Sequence, residues 1–210
     1  MSRGTPLNFP GMLGVYLAVN AVPDAFVLVD GPDCSLDKAH FIHGRHDLES
    51  TLLRVDGPHR VAFTGAGVRG DASRHDSELT AAALRLDALP GCAAVILTGL
   101  PLCAITGADY GRVARDLAPR LKGAAFAVAP DSLRGDWLDG YARTLTALAE
   151  SLSLRPGRIR PGTAAVVGHL MDRNEADRRA DAAELERLLS GLGLECLSVW
   201  LSGRPYAELR

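Results

Sequence analysis

RVAFTGAGVRGDASRHDSELTAAAL (Arg60–Leu84) places a short apolar run, a glycine-rich turn and a helical pattern in succession. That order is typical of the strand–turn–helix units of α/β proteins. The turn contains GAGVRG (Gly65–Gly70), a literal G-x-G-x-x-G motif. Such a motif indicates dinucleotide binding only if the flanking strand and helix have the right features.

The surroundings of the motif argue against a dinucleotide turn. In dinucleotide-binding folds, an acidic residue at the end of the next strand contacts the ribose. Here the next strand-like run, Ala93–Thr98, is followed by Gly-Leu-Pro, with no acid. The helix also does not follow the glycines directly, and Asp76 or Ser77 is its expected N-cap. We interpret the motif as a strand-to-helix loop. Its charged side chains are expected in solvent: Arg69, Asp71, Arg74 and His75.

Short apolar runs rich in Val, Ala or Ile recur along the chain and are separated by helical patterns. The runs are Ala25–Val29, Arg60–Thr64, Ala93–Thr98, Ala124–Ala129, Ala164–Gly168 and Glu195–Leu201. The clearest helical patterns are Asp136–Ser151, with Trp137, Tyr141, Leu145 and Leu148 on one stripe, and a second at about Ala176–Leu192. This alternation predicts an α/β fold, a Rossmann- or flavodoxin-like parallel sheet flanked by helices.

Two Pro-Gly pairs lie close together near the end of the chain and indicate a linker at residues 154–162. Residues 1–153 are then a first α/β domain. Residues 163–210 are only the start of a second α/β unit, since one β-α-β unit is too small to be a domain alone. We expect either a fragment or a C-terminal piece that docks on a partner.

Composition excludes several functional classes. Of the 210 residues, 47% are hydrophobic, so a sizeable core can form, and the formal net charge is -2. No basic face suggests nucleic acid as a partner. No apolar stretch approaches the ~18 residues of a membrane span, and the start lacks the apolar segment of a secretory signal. The sequence therefore predicts a cytoplasmic protein.

The four cysteines are expected to be free thiols or metal ligands, because disulfides are rare inside cells. Cys34 follows the first apolar run and Cys103 follows the third, so both are expected at the carboxyl edge of the sheet, where ligands bind. Cys92 precedes the third run, at the opposite end, and Cys196 begins the last run. Cys34 and Cys103 are either ordinary buried cysteines or thiolates that two chains contribute to an iron–sulfur cluster.

Three histidines follow Cys34 at spacings of three: His40, His43 and His46. On a helix, the first two share a face and could bind a metal. A solvated helix face is the preferred interpretation.

Several segments resemble, in order, the motifs of one family. Gly14 with Val15 stands where that family has Gly-Ala on its first helix, and LVDGPDC (Leu28–Cys34) is similar to its His-Gly-Pro-x-Gly-Cys turn. Three longer segments are similar to its Thr-rich loop and Gly-Gly turn, its strand with cluster loop and Gly-Asp-Asp helix start, and its Thr-Pro-Gly-Phe-x-Gly segment. They are Phe63–Leu79, Val95–Val113 and Val128–Leu152. The stretch from Ala164 to Gly203 resembles the opening of a second α/β domain.

The family is that of the nitrogenase component 1 type oxidoreductases, which includes nitrogenase molybdenum–iron protein subunits and protochlorophyllide reductase subunits. The resemblance implies an electron-transfer subunit with an iron–sulfur cluster at a subunit interface, reduced by an ATP-dependent iron–sulfur reductase. Cys34 and Cys103 would be the metal ligands, and hydrogen bonds from Asp33 or Asp30 would tune the cluster. The partner would be a second copy or a homologous subunit. In a homodimer, two thiolates per chain make the set of a 4Fe–4S cluster. The resemblance also implies that Asp109 is a structural acid at a helix start, and that the glycine-rich turn is a loop near the interface.

The chain departs from the family pattern in ways that keep other functions open. The family's first cluster cysteine falls near Pro10, its third falls on Pro101, and its histidine before Gly-Pro is Asp30. The second ligand could therefore be Cys103 or Cys92. One alternative is a homologue that has lost the cluster and serves as an assembly or binding scaffold. Another is a small-molecule-binding α/β domain with its ligand near residues 65–71.

Overall fold

Strands and helices alternate along the chain. The computed structural model describes residues 10–65, 72–105, 107–130, 135–152, 157, 160–171 and 177–209. The elements are α1 (Gly11–Asn20), β1 (Ala25–Asp30), α2 (Asp37–Arg45), β2 (Val61–Phe63), α3 (Ala72–Asp87), β3 (Ala94–Gly99), α4 (Pro101–Ala104), α5 (Tyr110–Leu117), β4 (Ala124–Ala127), α6 (Trp137–Ser151), β5 (Thr163–Val166), α7 (Arg178–Gly191) and β6 (Glu195–Val199). Short 3-10 turns span Asp33–Leu36, Ala118–Arg120 and Tyr206–Leu209.

The first sheet has four parallel strands in the order β2-β1-β3-β4. Its two central strands, β1 and β3, are buried at every position. Their register pairs Val27 with Ile96 and Asp30 with Gly99. Because the strand order reverses direction between β1 and β3, their carboxyl ends form a topological switch point, the usual ligand site of such sheets. The predicted α/β fold is confirmed.

The two faces of this sheet pack against different helices. Val27 and Val29 of β1 belong to one buried cluster, together with residues of α1 and α6. Phe26 and Leu28 belong to a second cluster, together with residues of α3 and α5. Alternate residues of a strand point to opposite faces, so an uninterrupted apolar strand is what a sheet covered on both faces requires.

Helices α1 and α6 cross with their backbones in contact. A Cβ at Gly14 would overlap the carbonyl oxygen of Trp137, and a Cβ at Gly140 would overlap the carbonyl oxygen of Gly11. The absence of a side chain at both glycines therefore permits the crossing. Tyr141 of α6 is buried beside it, as the predicted stripe requires.

Helix α3 begins at Ala72, before the predicted N-cap at Asp76 or Ser77, so that prediction is wrong. Both His75 and Asp76 lie inside the helix, where they contact other elements: His75 meets Asp30 of β1, and Asp76 accepts a hydrogen bond from Arg112 of α5. These tertiary contacts take the place of the capping contact that the local sequence suggested.

Arg60 is a buried cation just before β2, with a relative exposure of 3%. Its Nη1 donates hydrogen bonds to the carbonyl oxygens of Val19, Val22 and Ala25 at 2.9, 3.0 and 2.7 Å. The Val19 carbonyl belongs to the last turn of α1, and the carbonyls of Val22 and Ala25 come after that helix. The guanidinium therefore adds a second donor to the carbonyls of Val19 and Val22, which also accept the N–H groups of Val22 and Ala25.

The second α/β unit is small. β5 and β6 form a two-stranded parallel sheet joined through α7, with a register shift between Ala164 and Ala165. Within the predicted linker, residues 154–156 and 158–159 lie outside the described part of the chain. The boundary at residues 154–162 therefore stays a prediction.

After β6 the chain returns to the first sheet, so its last residues do not belong to the second unit alone. The backbone N–H of Tyr206 donates to Asp24 Oδ1 at 2.7 Å, and the ring of Tyr206 stacks on Phe126 of β4. Leu201 and Leu209 are buried in the same cluster as α1. The final segment, Trp200–Leu209, thus forms part of the first core.

Candidate functional site

The carboxyl ends of β1 and β3 carry the two cysteines that the sequence singles out. Cys34 lies in the 3-10 turn Asp33–Leu36 that follows β1, and Cys103 lies in α4, which follows β3. Because these strands are paired in register to Asp30 and Gly99, the two turns leave the sheet side by side. Cys34 is exposed, whereas Cys103 has a relative exposure of 2%.

Two hydrogen bonds hold the turn that carries Cys34. The N–H of Ser35 donates to the carbonyl of Pro32 at 3.2 Å, and the hydroxyl of Tyr16 in α1 donates to the carbonyl of Ser35 at 2.9 Å. Burial raises the pKa of Tyr16 well above its usual range, so this phenol stays a donor at any ordinary pH. Asp33 is exposed beside Cys34.

Cys103 is buried at the carboxyl end of the first sheet, near Asp30. Its N–H donates to the carbonyl of Leu100 at 2.8 Å, and the N–H of Leu100 donates to the carbonyl of Asp30 at 2.9 Å. Burial, with a smaller contribution from the charge of Asp30, raises the pKa of the Cys103 thiol to about 11. The protonated thiol is therefore the stable form in the metal-free chain.

Asp30 is the centre of a buried polar cluster. The residue is 0% exposed, and its carboxylate accepts hydrogen bonds from Thr64 Oγ1 at 2.8 Å, His75 Nε2 at 2.7 Å and the Tyr110 hydroxyl at 2.7 Å. Thr64 Oγ1 in turn accepts from the N–H of Gly31 at 3.1 Å. An ionised carboxylate is an acceptor only, and this one receives donors from three elements.

Two glycines leave room for this arrangement. A Cβ at Gly99 would overlap the hydroxyl of Tyr110, and a Cβ at Gly31 would lie 2.8 Å from Leu100 Cδ1. Gly31 has a φ of 153°. The Tyr110 phenol therefore reaches Asp30 through space that an alanine at position 99 would fill.

Sequence reasoning missed most of this cluster. His75 was expected in solvent, but its side chain is 13% exposed and bonded to Asp30, so that expectation is wrong. One signal was available: a charged residue, Asp30, ends the otherwise apolar run AFVLVD. No local pattern marks Tyr110 or Thr64. Residues 66–71 of the glycine-rich loop, with the predicted solvated Arg69 and Asp71, lie outside the described residues, as does the side chain of Arg74.

The remaining candidate residues lie elsewhere or are exposed. Cys92, before β3, is half-buried, and burial together with the charge of Asp87 raises the pKa of its thiol to about 12. Cys196 is half-buried in β6. His40 and His43 are exposed. His46 Nε2 donates a hydrogen bond to the backbone carbonyl oxygen of Met171 at 2.8 Å.

Asp109 has the structural role that was expected of it. It is the N-cap of α5, and its carboxylate accepts a hydrogen bond from the N–H of Arg112 at 2.8 Å. An acidic side chain at this position is favoured by the helix dipole and by the unpaired N–H groups of the first turn.

A small cavity opens beside the Cys34 turn. It has a volume of about 160 Å³, and its lining is almost wholly apolar although it includes two charged residues. The lining residues are Pro10, Leu13, Asp37, Lys38 and Phe41. The family's first cluster cysteine falls near Pro10 of this chain. In this chain, the apolar cavity lies in that region.

The sheet edge offers the thiols of Cys34 and Cys103 as candidate metal ligands. Among the described residues, no three side chains of His, Cys, Asp or Glu form a metal site by themselves. Iron–sulfur clusters usually take four thiolates, and this edge offers two, Cys34 and Cys103. Within the described residues, this chain thus supplies two thiols at the edge, fewer than the four of a complete cluster.

Comparison with known proteins agrees with the fold. The structure titled "Nitrogenase Cp1 at pH 6.5" matches with a TM-score of 0.71 and 14% identity, over 97% of this chain and 42% of that chain. "Nitrogenase Cp1 at pH 5" matches with a TM-score of 0.66 and 15% identity, over 99% and 42%. This chain thus spans less than half the length of those structures. At such identities, the likeness concerns the fold alone. No curated protein matches the chain.

Among the described residues, no helix has both the length and the apolar character that a bilayer crossing needs. The model of the family described as "Nitrogenase component 1 type Oxidoreductase" matches residues 10–210, nearly the whole chain. The alternation of elements, the parallel sheet and this match agree, and the chain belongs to the nitrogenase component 1 type oxidoreductase family.

Proposed function

We propose that this chain is a subunit of a nitrogenase-like oxidoreductase that holds an iron–sulfur cluster at an interface between two subunits. The observation that supports the proposal is an exposed cysteine, Cys34, on the turn after β1, next to the Cys103 turn after β3. The carboxyl edge of a parallel sheet at its switch point is where such folds bind their ligands.

Cys34 is the better placed of the two ligands. Its turn is fixed by the Tyr16 hydroxyl, and its side chain is open to a second chain. The exposed Cys34 thiol is accessible to a cluster at the subunit surface, which a partner chain would then cover. Asp33, exposed on the same turn, is proposed to contribute charge or hydrogen bonding at the cluster.

Cys103 is the proposed second ligand. Its thiol would have to lose a proton, and its pKa of about 11 opposes that loss in the metal-free chain. Metal coordination deprotonates thiols outright, so a raised pKa does not preclude ligation. With Cys34 and Cys103 from each of two copies, four thiolates would be present, the set of a 4Fe–4S cluster. A homologous subunit could replace the second copy.

A bound cluster supplies one-electron chemistry, and the chain supplies its ligands, its burial and its orientation. As in the family, we propose an ATP-dependent iron–sulfur reductase as the electron donor, and a cytoplasmic location. Of the chain's own residues, Cys34 and Cys103 are proposed to ligate the cluster. The buried residues around Asp30 and Tyr110 are proposed to keep water away from it.

A second candidate function is that of a scaffold without a cluster. The apolar cavity beside Pro10 favours it, because that is where the family's first ligand was expected. A third candidate, small-molecule binding near residues 65–71, falls mostly on residues outside the described ranges.

The experiment is an iron and acid-labile sulfide determination on full-length protein purified without oxygen, together with its visible spectrum and native mass. Cys34→Ser and Cys103→Ser test the ligands. Cys92→Ser and Cys196→Ser are matched controls, since Cys92 lies at the opposite end of β3 and Cys196 lies in the second unit.

About four irons per dimer are expected in the wild type, lost in Cys34→Ser and Cys103→Ser and kept in both controls. Loss in Cys34→Ser alone would support the cluster and remove Cys103 from its ligands. An iron-free, colourless protein, even after reconstitution with iron and sulfide, would contradict the proposal and favour the scaffold.

A further inference from the structure

The most unusual polar group in the first domain is the carboxylate of Asp30. It ends a strand whose other five residues are apolar, and it is fully buried. Burying a charge costs several kcal/mol unless donors compensate, and replacing such groups with apolar residues often leaves stability unchanged or higher. Stability alone therefore does not explain a charge at this position.

Asp30 also lies between the two cysteine-bearing turns. Toward Cys103, its carbonyl oxygen accepts the N–H of Leu100 at 2.9 Å, and the Leu100 carbonyl accepts the N–H of Cys103 at 2.8 Å. Toward Cys34, the Gly31 N–H donates to Thr64 Oγ1, whose hydroxyl donates to the Asp30 carboxylate. Residue 30 thus contacts the Cys103 turn through its backbone carbonyl and the Cys34 turn through its carboxylate and Thr64.

Two further donors fix the carboxylate in place. His75 reaches it from α3 and Tyr110 reaches it from α5, each at 2.7 Å. The Tyr110 pKa is raised by burial first and then by its hydrogen bond to Asp30, which keeps the phenol protonated. The carboxylate is therefore held at once from the residue after β2, from α3 and from α5.

We propose that Asp30, held by His75, Tyr110 and Thr64, is a positioning residue that fixes the Cys34 and Cys103 turns, and that its carboxylate would act on the potential of a cluster held there. This inference rests on the proposed function for the cluster, but the positioning of the turns can be measured without it. A nearby negative charge opposes the addition of an electron, so Asp30 lowers the reduction potential.

The test compares Asp30→Asn, His75→Ala and Tyr110→Phe with a matched control, Asp87→Asn. Asp87 is also a buried carboxylate, but it accepts from the N–H groups of Lys122 and Gly123, away from the cysteine turns. The milder variants keep the test decisive if Asp30→Asn does not fold, because Tyr110→Phe removes one donor and leaves the carboxylate.

The first measurement is amide hydrogen exchange on metal-free protein. Asp30→Asn is expected to speed amide exchange at Gly31, Leu100 and Cys103 by about tenfold or more. His75→Ala and Tyr110→Phe are expected to speed exchange at the same amides by less. Asp87→Asn should change exchange near Lys122 and Gly123 instead. The second measurement is the midpoint potential of iron-loaded protein, with all variants at one pH. It should rise in Asp30→Asn and stay unchanged in Asp87→Asn.

Unchanged exchange at the turn amides in all three variants would overturn the positioning role. An unchanged or lower potential in Asp30→Asn would overturn the electrostatic role. Should the wild type take up no iron while the turn amides still exchange faster in Asp30→Asn, the positioning of the turns would be supported and the proposed function would fail.

Discussion

The hydroxyl of Tyr110 occupies the space that a side chain at Gly99 would fill. Gly99 is the last residue of β3 and pairs with Asp30 of β1. Because Gly99 has no side chain, the Tyr110 hydroxyl can pass it and bind the Asp30 carboxylate. Strand glycines often mark such close approaches of another group to the backbone. The glycine therefore determines where the aromatic hydroxyl can bind.

Gly99→Ala should break this contact. The new methyl group would displace Tyr110 and leave one donor of Asp30 missing, and overpacking in a core typically costs about 1–3 kcal/mol. Urea unfolding followed by circular dichroism measures the change. Gly44→Ala is the matched control, because a Cβ there meets nothing within 4 Å. Equal stability of the two variants would contradict the steric argument.

Gly14→Ala should destabilise the crossing of α1 and α6. A Cβ there would overlap backbone atoms of Trp137, which cannot move away as a flexible side chain can. We expect a loss of about 3 kcal/mol or more in the free energy of unfolding, at the upper end of overpacking effects. Gly11→Ala, where the nearest atoms lie at 3.4 Å, should be close to wild type. Thermal and urea unfolding would show whether the two variants differ.

Arg60→Ala should be destabilising, because three carbonyl oxygens would each lose a hydrogen bond from the buried guanidinium. A hydrogen bond to a charged group contributes about 1.5–3 kcal/mol, so a loss of about 3 kcal/mol or more in the free energy of unfolding is expected. Arg54 bonds Asp56 in solvent, and its removal should leave the unfolding midpoint unchanged. A small effect of Arg60→Ala in urea unfolding would show that water replaces the guanidinium.

Exposure should decide which thiol reacts first. With a pKa of about 11, only about one Cys103 in a thousand is a thiolate at pH 8, and its side chain is buried. Iodoacetamide at that pH should label the exposed Cys34 well before Cys103, and Cys34→Ser should remove the fast phase. Mass spectrometry of the alkylated peptides identifies the site. Fast labelling of Cys103 would mean that α4 opens readily.

Stability should fall at alkaline pH. Burial raises the pKa of Cys103 to about 11, of Cys92 to about 12 and of Tyr141 to about 12, above the ordinary 9.0 for thiols and 10.0 for phenols. The folded state then holds protons that the unfolded state releases, so this contribution is complete below pH 9 and is lost as pH rises toward 11 and 12. Urea midpoints at pH 8, 9 and 10 should decrease, with a shallower slope in Cys92→Ser. A midpoint that rises with pH would contradict this assignment.

Much of the fold could be predicted because each strand has a local signature. The run Ala25–Val29 became β1, and Ala93–Thr98 became β3 with a shift of one residue. The predicted helix Asp136–Ser151 became α6, which begins one residue later because Asp136 is its N-cap. The start of α3 was mispredicted, since local capping propensity pointed to Asp76 and the helix begins at Ala72.

The site was only partly predictable. Both proposed cysteine ligands follow neighbouring strands as expected, because the carboxyl ends of parallel strands share an edge. Their burial could not be read from spacing: Cys34 is exposed and Cys103 is not. The Asp30 cluster joins residues that are 34, 45 and 80 positions apart, and no local pattern specifies such pairs.

The segment Trp200–Leu209, which packs Tyr206 on Phe126 and Leu209 beside α1, sets an order of events during synthesis. The nascent chain carries the first sheet for several seconds before this segment leaves the ribosome, at the ordinary rate of translation. During that interval, part of the apolar surface around β4 has no cover from its own chain. Completion of the first core therefore waits until this segment has been translated, well after the sheet itself.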